Sequence, residues 1–327
     1  MFHKVQRIAL VCVFALGAGG CPEGGINTND NDAGPPQRDS NVDADVDADV
    51  NPCGDHVCDE AGGEDCTTCE RDCLGIACSP VRDLTVQQFR EEHLDNPAVT
   101  GRTLIDLRTV TECQDARIPG DTFCPPDVSA WWDGTNITDN GGYLNNVTPS
   151  VHTPLMFYGY GDDDATVLAV AEAAWDLGFD DLYRIVGGIA DWRAEGWYQD
   201  VSYEGLLRLY YPPPADVYLI DTMDATHYAD CHMQDALNLD TYTFFYGGEL
   251  INNGQPLLDI APDLQNSVLI FFCVNLACVA SEEAAVASEM MGYAQIFHYK
   301  EGTEDWYCPP HSGATVGPGC GATVCTP

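Results

Sequence analysis

The chain has 327 residues, 16 cysteines and a formal charge of −39, with 52 acidic against 13 basic side chains. That length holds two domains of ordinary size plus appendages. The acidity argues against nucleic acid or an anionic membrane surface as a partner, and so many cysteines argue against a reduced cytosol in favour of an oxidising compartment.

At the N-terminus, His3, Lys4 and Arg7 precede the apolar stretch Ile8–Leu16, and Gly17-Ala18-Gly19-Gly20 leads to Cys21. Residues 1–21 resemble a bacterial lipoprotein signal. The resemblance implies that Cys21 becomes the lipidated first residue, anchoring an exported protein to the cell envelope, facing the periplasm or the cell exterior. Ala18 stands where such signals usually carry Leu, so ordinary signal-peptide cleavage stays open, as does an uncleaved anchor. The apolar stretch is shorter than the roughly 20 residues that cross a bilayer.

Residues 22–52 read as a solvated tether. The alternation Asp43-Ala-Asp45-Val-Asp47-Ala-Asp49 lacks the glycine turn and terminal glutamate of a calcium loop. Residues 53–79 hold Cys53, Cys58, Cys66, Cys69, Cys73 and Cys78. Zinc or three disulfides would satisfy them. Export favours disulfides, because so short a segment builds no adequate core without cross-links. The segment is similar to small cysteine-rich modules that follow such tethers in secreted bacterial proteins, and that similarity implies no chemistry.

From Leu84 onward the pattern alternates strands and helices, which predicts a mostly parallel sheet covered on both faces. Leu84–His93 suits a short amphipathic helix, Thr103-Leu-Ile-Asp106 a buried strand, Leu155-Met-Phe-Tyr158 a second, Val167–Leu177 a helix and Leu182–Val186 a third strand. Gly187-Gly188 and a helix start at Ile189-Ala-Asp-Trp192 close the unit. A shift of 114 residues (273 − 159) then lays Gly159 under Cys273, Gly178 under Gly292, Phe179 under Tyr293, Gly188 under Gly302, Asp191 under Asp305 and Trp192 under Trp306. The chain reads as two copies of one unit, residues 80–200 and 201–307, and only the second has a cysteine at that position. Residues 308–327, with Cys308, Cys320 and Cys325, read as a cross-linked or loosely ordered tail.

Cys273 ends the apolar run Val268–Phe272, and the loop Val274-Asn275-Leu276-Ala277-Cys278 leads into an alanine-rich helix at Val279. A thiol between a buried strand and a helix N-terminus is a candidate nucleophile, since the free first-turn amides and the helix dipole favour the thiolate. The alternative is a small apolar core residue.

At these residues the chain resembles a tandem rhodanese, a two-domain sulfurtransferase family. The matching pieces are Leu-Ile-Asp106-Leu-Arg108, Ala116-Arg-Ile-Pro-Gly120 and Gly187-Gly-Ile-Ala-Asp-Trp192 in the first copy. In the second they are Leu-Ile-Asp221, His232–Leu239, Phe272-Cys273 with its loop, and Gly302-Thr-Glu-Asp-Trp306. The resemblance implies two α/β domains, each a mostly parallel sheet flanked by helices, the first lacking the cysteine. It implies Cys273 as a persulfide-forming nucleophile, cradled by the amides of Val274, Asn275, Leu276, Ala277, Cys278 and Val279. A small sulfur donor and a thiol acceptor are the implied partners, with no cofactor and no metal.

Three departures bear on that expectation. The loop ends without arginine, which removes a charge-assisted contact worth about 1.5–3 kcal/mol to an oxyanion donor. Met223 stands where the first copy has Arg108. Cys278 offers a resolving thiol that can close a disulfide on Cys273, which makes either a redox-switchable thiol or an inert cross-link. The competing reading is an inactive rhodanese fold used as a binding or scaffold module on the envelope. A cysteine-dependent phosphatase is the third, disfavoured by the missing arginine. His232, Asp106 and Asp221 are read as structural, Trp192 and Trp306 as core anchors, and Cys113 with Cys124 as a disulfide. Cys231 is left to pair with a tail cysteine, and Gly159-Tyr-Gly-Asp-Asp-Asp164 reads as an acidic surface loop.

Overall fold

The structure, a computed structural model, describes residues 80–96, 101–138, 142–148, 150–162, 164–307 and 311, and the backbone of 315–316. All of them lie in one compact unit, Ile76–Pro327. The expectations for Cys21, the tether 22–52, the module 53–79 and Cys308, Cys320 and Cys325 fall outside the described residues.

In chain order the first half runs β1 (Val81–Thr85), α1 (Val86–Phe89), β2 (Thr103–Asp106), α2 (Val110–Asp115), β3 (Thr122–Phe123), α3 (Gly142–Val147), β4 (Leu155–Tyr158), α4 (Ala165–Asp176), β5 (Leu182–Val186) and α5 (Gly188–Ala194). The second half runs β6 (Gln199–Asp200), α6 (Tyr203–Tyr210), β7 (Val217–Asp221), α7 (Ala225–Asp230), β8 (His232–Met233), β9 (Leu237–Asn238), β10 (Phe245–Tyr246), β11 (Glu249–Leu250), α8 (Gln255–Ile260), β12 (Val268–Phe272), α9 (Ala280–Met291), β13 (Gln295–Tyr299), α10 (Gly302–Tyr307) and β14 (Thr315–Val316).

Each half contains a five-stranded sheet, ordered β1-β5-β4-β2-β3 and β6-β13-β12-β7-β9. Every pairing within both sheets is parallel. The two orders match position by position. The continuous apolar runs explain this. Every residue of β2 and β4 is buried, and so are the last four of β12, which requires helices on both faces. Successive residues point to opposite faces, so Phe271 packs with Ala284 and Tyr293, while Phe272 packs with Tyr299 and Trp306. The first half repeats the device, Phe157 with Val170 and Ala171 on one face, and Tyr158 with Phe89 and Trp192 on the other.

The expected helix at Leu84 is corrected. Leu84 and Thr85 remain extended because they pair with Ile185 and Val186 of β5. The helix starts only after Thr85, whose hydroxyl accepts from the Gln88 amide in a capping box.

The halves meet through buried polar contacts. Arg117 and Asp200 exchange backbone hydrogen bonds of 3.0 Å. The Arg90 guanidinium forks onto Glu289 at 3.2 and 2.7 Å, and Glu289 also accepts from the Tyr198 amide at 2.7 Å. Lys300 donates to the Gly120 carbonyl at 2.8 Å. No helix among the described residues is long and apolar enough to cross a membrane.

Candidate active site at the end of β12

The strand end is held from both sides. Thr222 donates to the Phe272 carbonyl through its amide at 3.1 Å and its hydroxyl at 2.9 Å. The amides of Thr303 and Glu304 donate to the carbonyls of Cys273 and Val274, both at 2.9 Å. Gly302 permits this approach. Its φ is +72°, and a Cβ there would stand 2.6 Å from the Cys273 carbonyl oxygen, closer than real side chains come to backbone.

Cys273 is bonded to Cys278, with Cα atoms 6.1 Å apart. The free thiolate of the sequence reading is therefore half of a disulfide in this structure. The expected ring of loop amides is also incomplete. The Cys278 amide donates to the Asn275 carbonyl at 3.0 Å, and the Ala277 amide to Asn275 Oδ1 at 3.1 Å. Asn275 in turn donates to Glu304 Oε2 at 3.1 Å, so its side chain organises the loop. Val279 caps α9 without any side-chain hydrogen bond, which leaves the first-turn amides without a side-chain acceptor. Leu276 and Val279 are exposed.

Cys273, Cys278 and Val279 line a cleft of about 470 Å³, together with Thr222, Met223 and Asp224 from the β7–α7 connection, His227 of α7, and Asp240 and Tyr242 from the turn after β9. Cys273 is only 2% exposed, and Cys278 is half-buried. Asp224 caps α7, accepting from the Thr226 and His227 amides at 2.8 and 3.1 Å, with His227 Nδ1 at 2.7 Å. Those His227 contacts hold the Asp224 carboxyl below the usual carboxylate range. Residues 209–307 contain no arginine, and their one lysine, Lys300, is committed to Gly120. Sequence reasoning missed Asp224, His227, Asp240 and Tyr242 as neighbours of the sulfur. The signal for Asp224 was its N-cap position before Ala-Thr-His.

One step behind the cleft the two halves diverge. In the first, buried Asp106 accepts from Arg108 Nε at 2.9 Å and from the Tyr158 hydroxyl at 2.8 Å, and Arg108 also reaches the Ala116 carbonyl. In the second, Met223 and Phe272 replace Arg108 and Tyr158. The Asp221 carboxyl keeps only the Met223 amide on Oδ1, at 3.0 Å, and its Oδ2 is buried without a partner. Burial pushes this carboxyl up to about 7, with the Met223 amide pulling weakly the other way.

In the first half the place of the sulfur is filled differently. Asp164 caps α4, accepting from the Thr166 amide at 3.2 Å and the Tyr160 amide at 3.4 Å. A Cβ added to Gly159 would collide with the Asp164 carboxylate. The Ile189 and Ala190 amides donate to the carbonyls of Gly159 and Tyr160 at 3.1 Å, as Thr303 and Glu304 do in the second half.

The remaining candidates have structural partners. His232 stacks on Tyr228 with ring centroids 3.8 Å apart, and its Nδ1 lies 2.7 Å from the Tyr228 carbonyl. Cys113 is joined to Cys124. Cys231 is disulfide-bonded. No group of three metal-ligating side chains occurs among the described residues.

Comparison with known sequences places a Rhodanese-like domain at residues 209–307. No curated protein matches the chain. Among solved structures, a 3-mercaptopyruvate sulfotransferase from Escherichia coli is 14% identical, with a TM-score of 0.29, over 67% of this chain and 98% of that one. A thiosulfate sulfurtransferase from Pseudomonas aeruginosa is 15% identical, with a TM-score of 0.26, over 69% of this chain and 42% of that one. A protein from Bacillus halodurans is 20% identical, with a TM-score of 0.31, over 40% of this chain and 85% of that one.

Proposed function

Proceeding from the Rhodanese-like domain at residues 209–307, we propose that this is a sulfurtransferase-like protein of the cell envelope, anchored through Cys21, with two rhodanese-type folds in tandem. The observation that carries the reading is the place of Cys273. It directly follows the central strand β12, lies 2% exposed in the wall of a cleft, and precedes a helix with no side-chain cap.

The disulfide to Cys278 must open first. The Cys273 thiolate then attacks the outer sulfur of a sulfane donor. The S–S bond of the donor breaks, its leaving group departs with the electron pair, and Cys273 holds the sulfur as a persulfide. An acceptor thiolate attacks that sulfur, takes it as its own persulfide and returns Cys273 as thiolate, with no net oxidation. The first-turn amides of α9 and the loop amides of Val274, Asn275, Leu276 and Val279 are the groups available to stabilise the anionic sulfur.

A non-catalytic binding module is the second reading. It is favoured by Cys273 being tied to Cys278 and by the absence of arginine from the domain. Intact mass after incubating the reduced protein with thiosulfate or polysulfide separates the two. Sulfur transfer predicts a gain of one sulfur atom that Cys273→Ser abolishes. No adduct with any donor supports the binding module.

A further inference from the structure

The Cys273–Cys278 disulfide is a two-electron oxidant in the wall of a cleft, and sulfur transfer makes no use of it in that form. We propose that this disulfide oxidises thiols carried on cationic, apolar molecules, with Cys278 as the sulfur that is attacked. The proposal goes beyond persulfide transfer and does not depend on it.

Exposure separates the two sulfurs. Cys273 is sealed to 2% at the strand end, whereas half-buried Cys278 sits at the mouth of the loop, next to exposed Val279. An incoming thiolate therefore meets Cys278 first and displaces Cys273. Cys273 leaves as thiolate into a wall it shares with Ala280, the first residue of α9, where the helix end favours negative charge.

The surroundings select the thiol by charge. Asp224 and Asp240 line the cleft, no arginine occurs anywhere in residues 209–307, and Lys300 is held at Gly120. A carboxylate- or sulfonate-bearing thiol enters against this field, and an ammonium-bearing one enters with it. Tyr242, 48% exposed and edge-on to Tyr246 at 6.0 Å, adds an aromatic face that accepts both apolar groups and cations.

The chemistry balances on the atoms present. The first substrate thiolate bonds to Cys278 Sγ as the Cys273–Cys278 bond breaks, and the electron pair leaves on Cys273. A second thiolate attacks the substrate sulfur of the mixed disulfide and releases Cys278 as thiolate. Two thiols lose two electrons and two protons to become a disulfide, and the cysteine pair gains both.

The test uses the full-length oxidised protein with no sulfane donor present. Cysteamine and 2-mercaptoethanesulfonate are compared at equal thiolate concentration, with acid quench, alkylation and peptide mass mapping. Cysteamine should open the disulfide about tenfold faster at low salt, and the ratio should fall towards one as salt screens the field. The trapped mixed disulfide should lie on Cys278. Asp224→Asn with Asp240→Asn should shrink the ratio, and if that variant misfolds, the salt series on the unaltered protein decides. Equal rates at low salt, a mixed disulfide on Cys273, or a disulfide inert to both thiols in the folded protein would each overturn the proposal. Sulfur loading of the reduced protein is a separate readout, so either idea can fail alone.

Discussion

At the end of β4 the chain places Gly159 and then the Asp164 carboxylate as the cap of α4, whereas at the equivalent end of β12 it places Cys273 and Cys278 and leaves α9 without a side-chain cap. Both ends are gripped by the same pair of backbone hydrogen bonds from the start of the last helix. The frame is therefore shared, and the contents of the helix end decide the chemistry. A carboxylate that already satisfies the first-turn amides leaves no place for an anionic sulfur. The buried carboxyls behind these ends differ in the same direction. Asp106 is saturated by Arg108 and Tyr158, while Asp221 lacks both partners. At these strand ends the half without Cys273 keeps its buried aspartate satisfied, and the half with Cys273 leaves Asp221 Oδ2 buried without a partner.

The sharpest way to break this comparison is to import the second half's residue into the first. Arg108→Met leaves Asp106 buried without its cation and should cost about 3–5 kcal/mol in urea unfolding. A loss below about 1 kcal/mol would mean that the pair does not hold the first half together.

Asp221 gives the next largest effect. Its folded-state value of about 7 lies above its ordinary 3.8, so the folded protein binds this proton more tightly than the unfolded chain. The stabilisation is fully present below about pH 4 and is lost as pH rises through 7. It amounts to about 4 kcal/mol across that window, at roughly 1.4 kcal/mol per unit. Asp221→Asn should remove this component, so that the variant gains on the parent as pH rises from 4 to 8 in parallel denaturant titrations. Parallel pH profiles for the two proteins would contradict the assignment.

A matched pair of glycine substitutions sharpens the comparison. Gly188 and Gly302 have φ of +52° and +72°, and a Cβ on either would press on the carbonyl of Gly159 or Cys273 at 2.5 or 2.6 Å. Each alanine variant should lose about 1–3 kcal/mol. Only Gly302→Ala should change the rate at which Cys273 and Cys278 react, read by timed alkylation after reduction. The smallest effect belongs to Gly159→Cys. Because Asp164 blocks that position, the added thiol should gain no sulfur from polysulfide, and mass mapping should find the adduct unchanged.

Much of the fold was legible because its strands are short apolar runs at a fixed offset, ended by Asp106 and Asp221 and followed by Gly-Gly or Gly-Thr before a buried tryptophan. The start of the first half was misread at Leu84, where strand pairing across about a hundred residues overrides local amphipathicity. The place of Cys273 between a buried strand and a helix was legible from the order of apolar run, loop and alanine-rich stretch. Its oxidised state was not, because a Cys-x4-Cys spacing fits a resolving thiol and an inert cross-link equally well. Asp224 reaches the cleft from the β7–α7 connection and Asp240 and Tyr242 from the turn after β9, and no periodicity links them to Cys273. The isolation of Asp221 needed two substitutions seen together, Met223 for Arg108 and Phe272 for Tyr158, and the second is silent until the strands are paired.

The most direct test reduces the full-length protein, loads it with polysulfide, and locates the added sulfur by peptide mapping in the parent, Cys273→Ser and Cys278→Ser proteins. The account predicts sulfur on Cys273 in the parent and in Cys278→Ser, and none in Cys273→Ser. Sulfur found on Cys278 when Cys273 is intact, or on no cysteine of the second half, would contradict it.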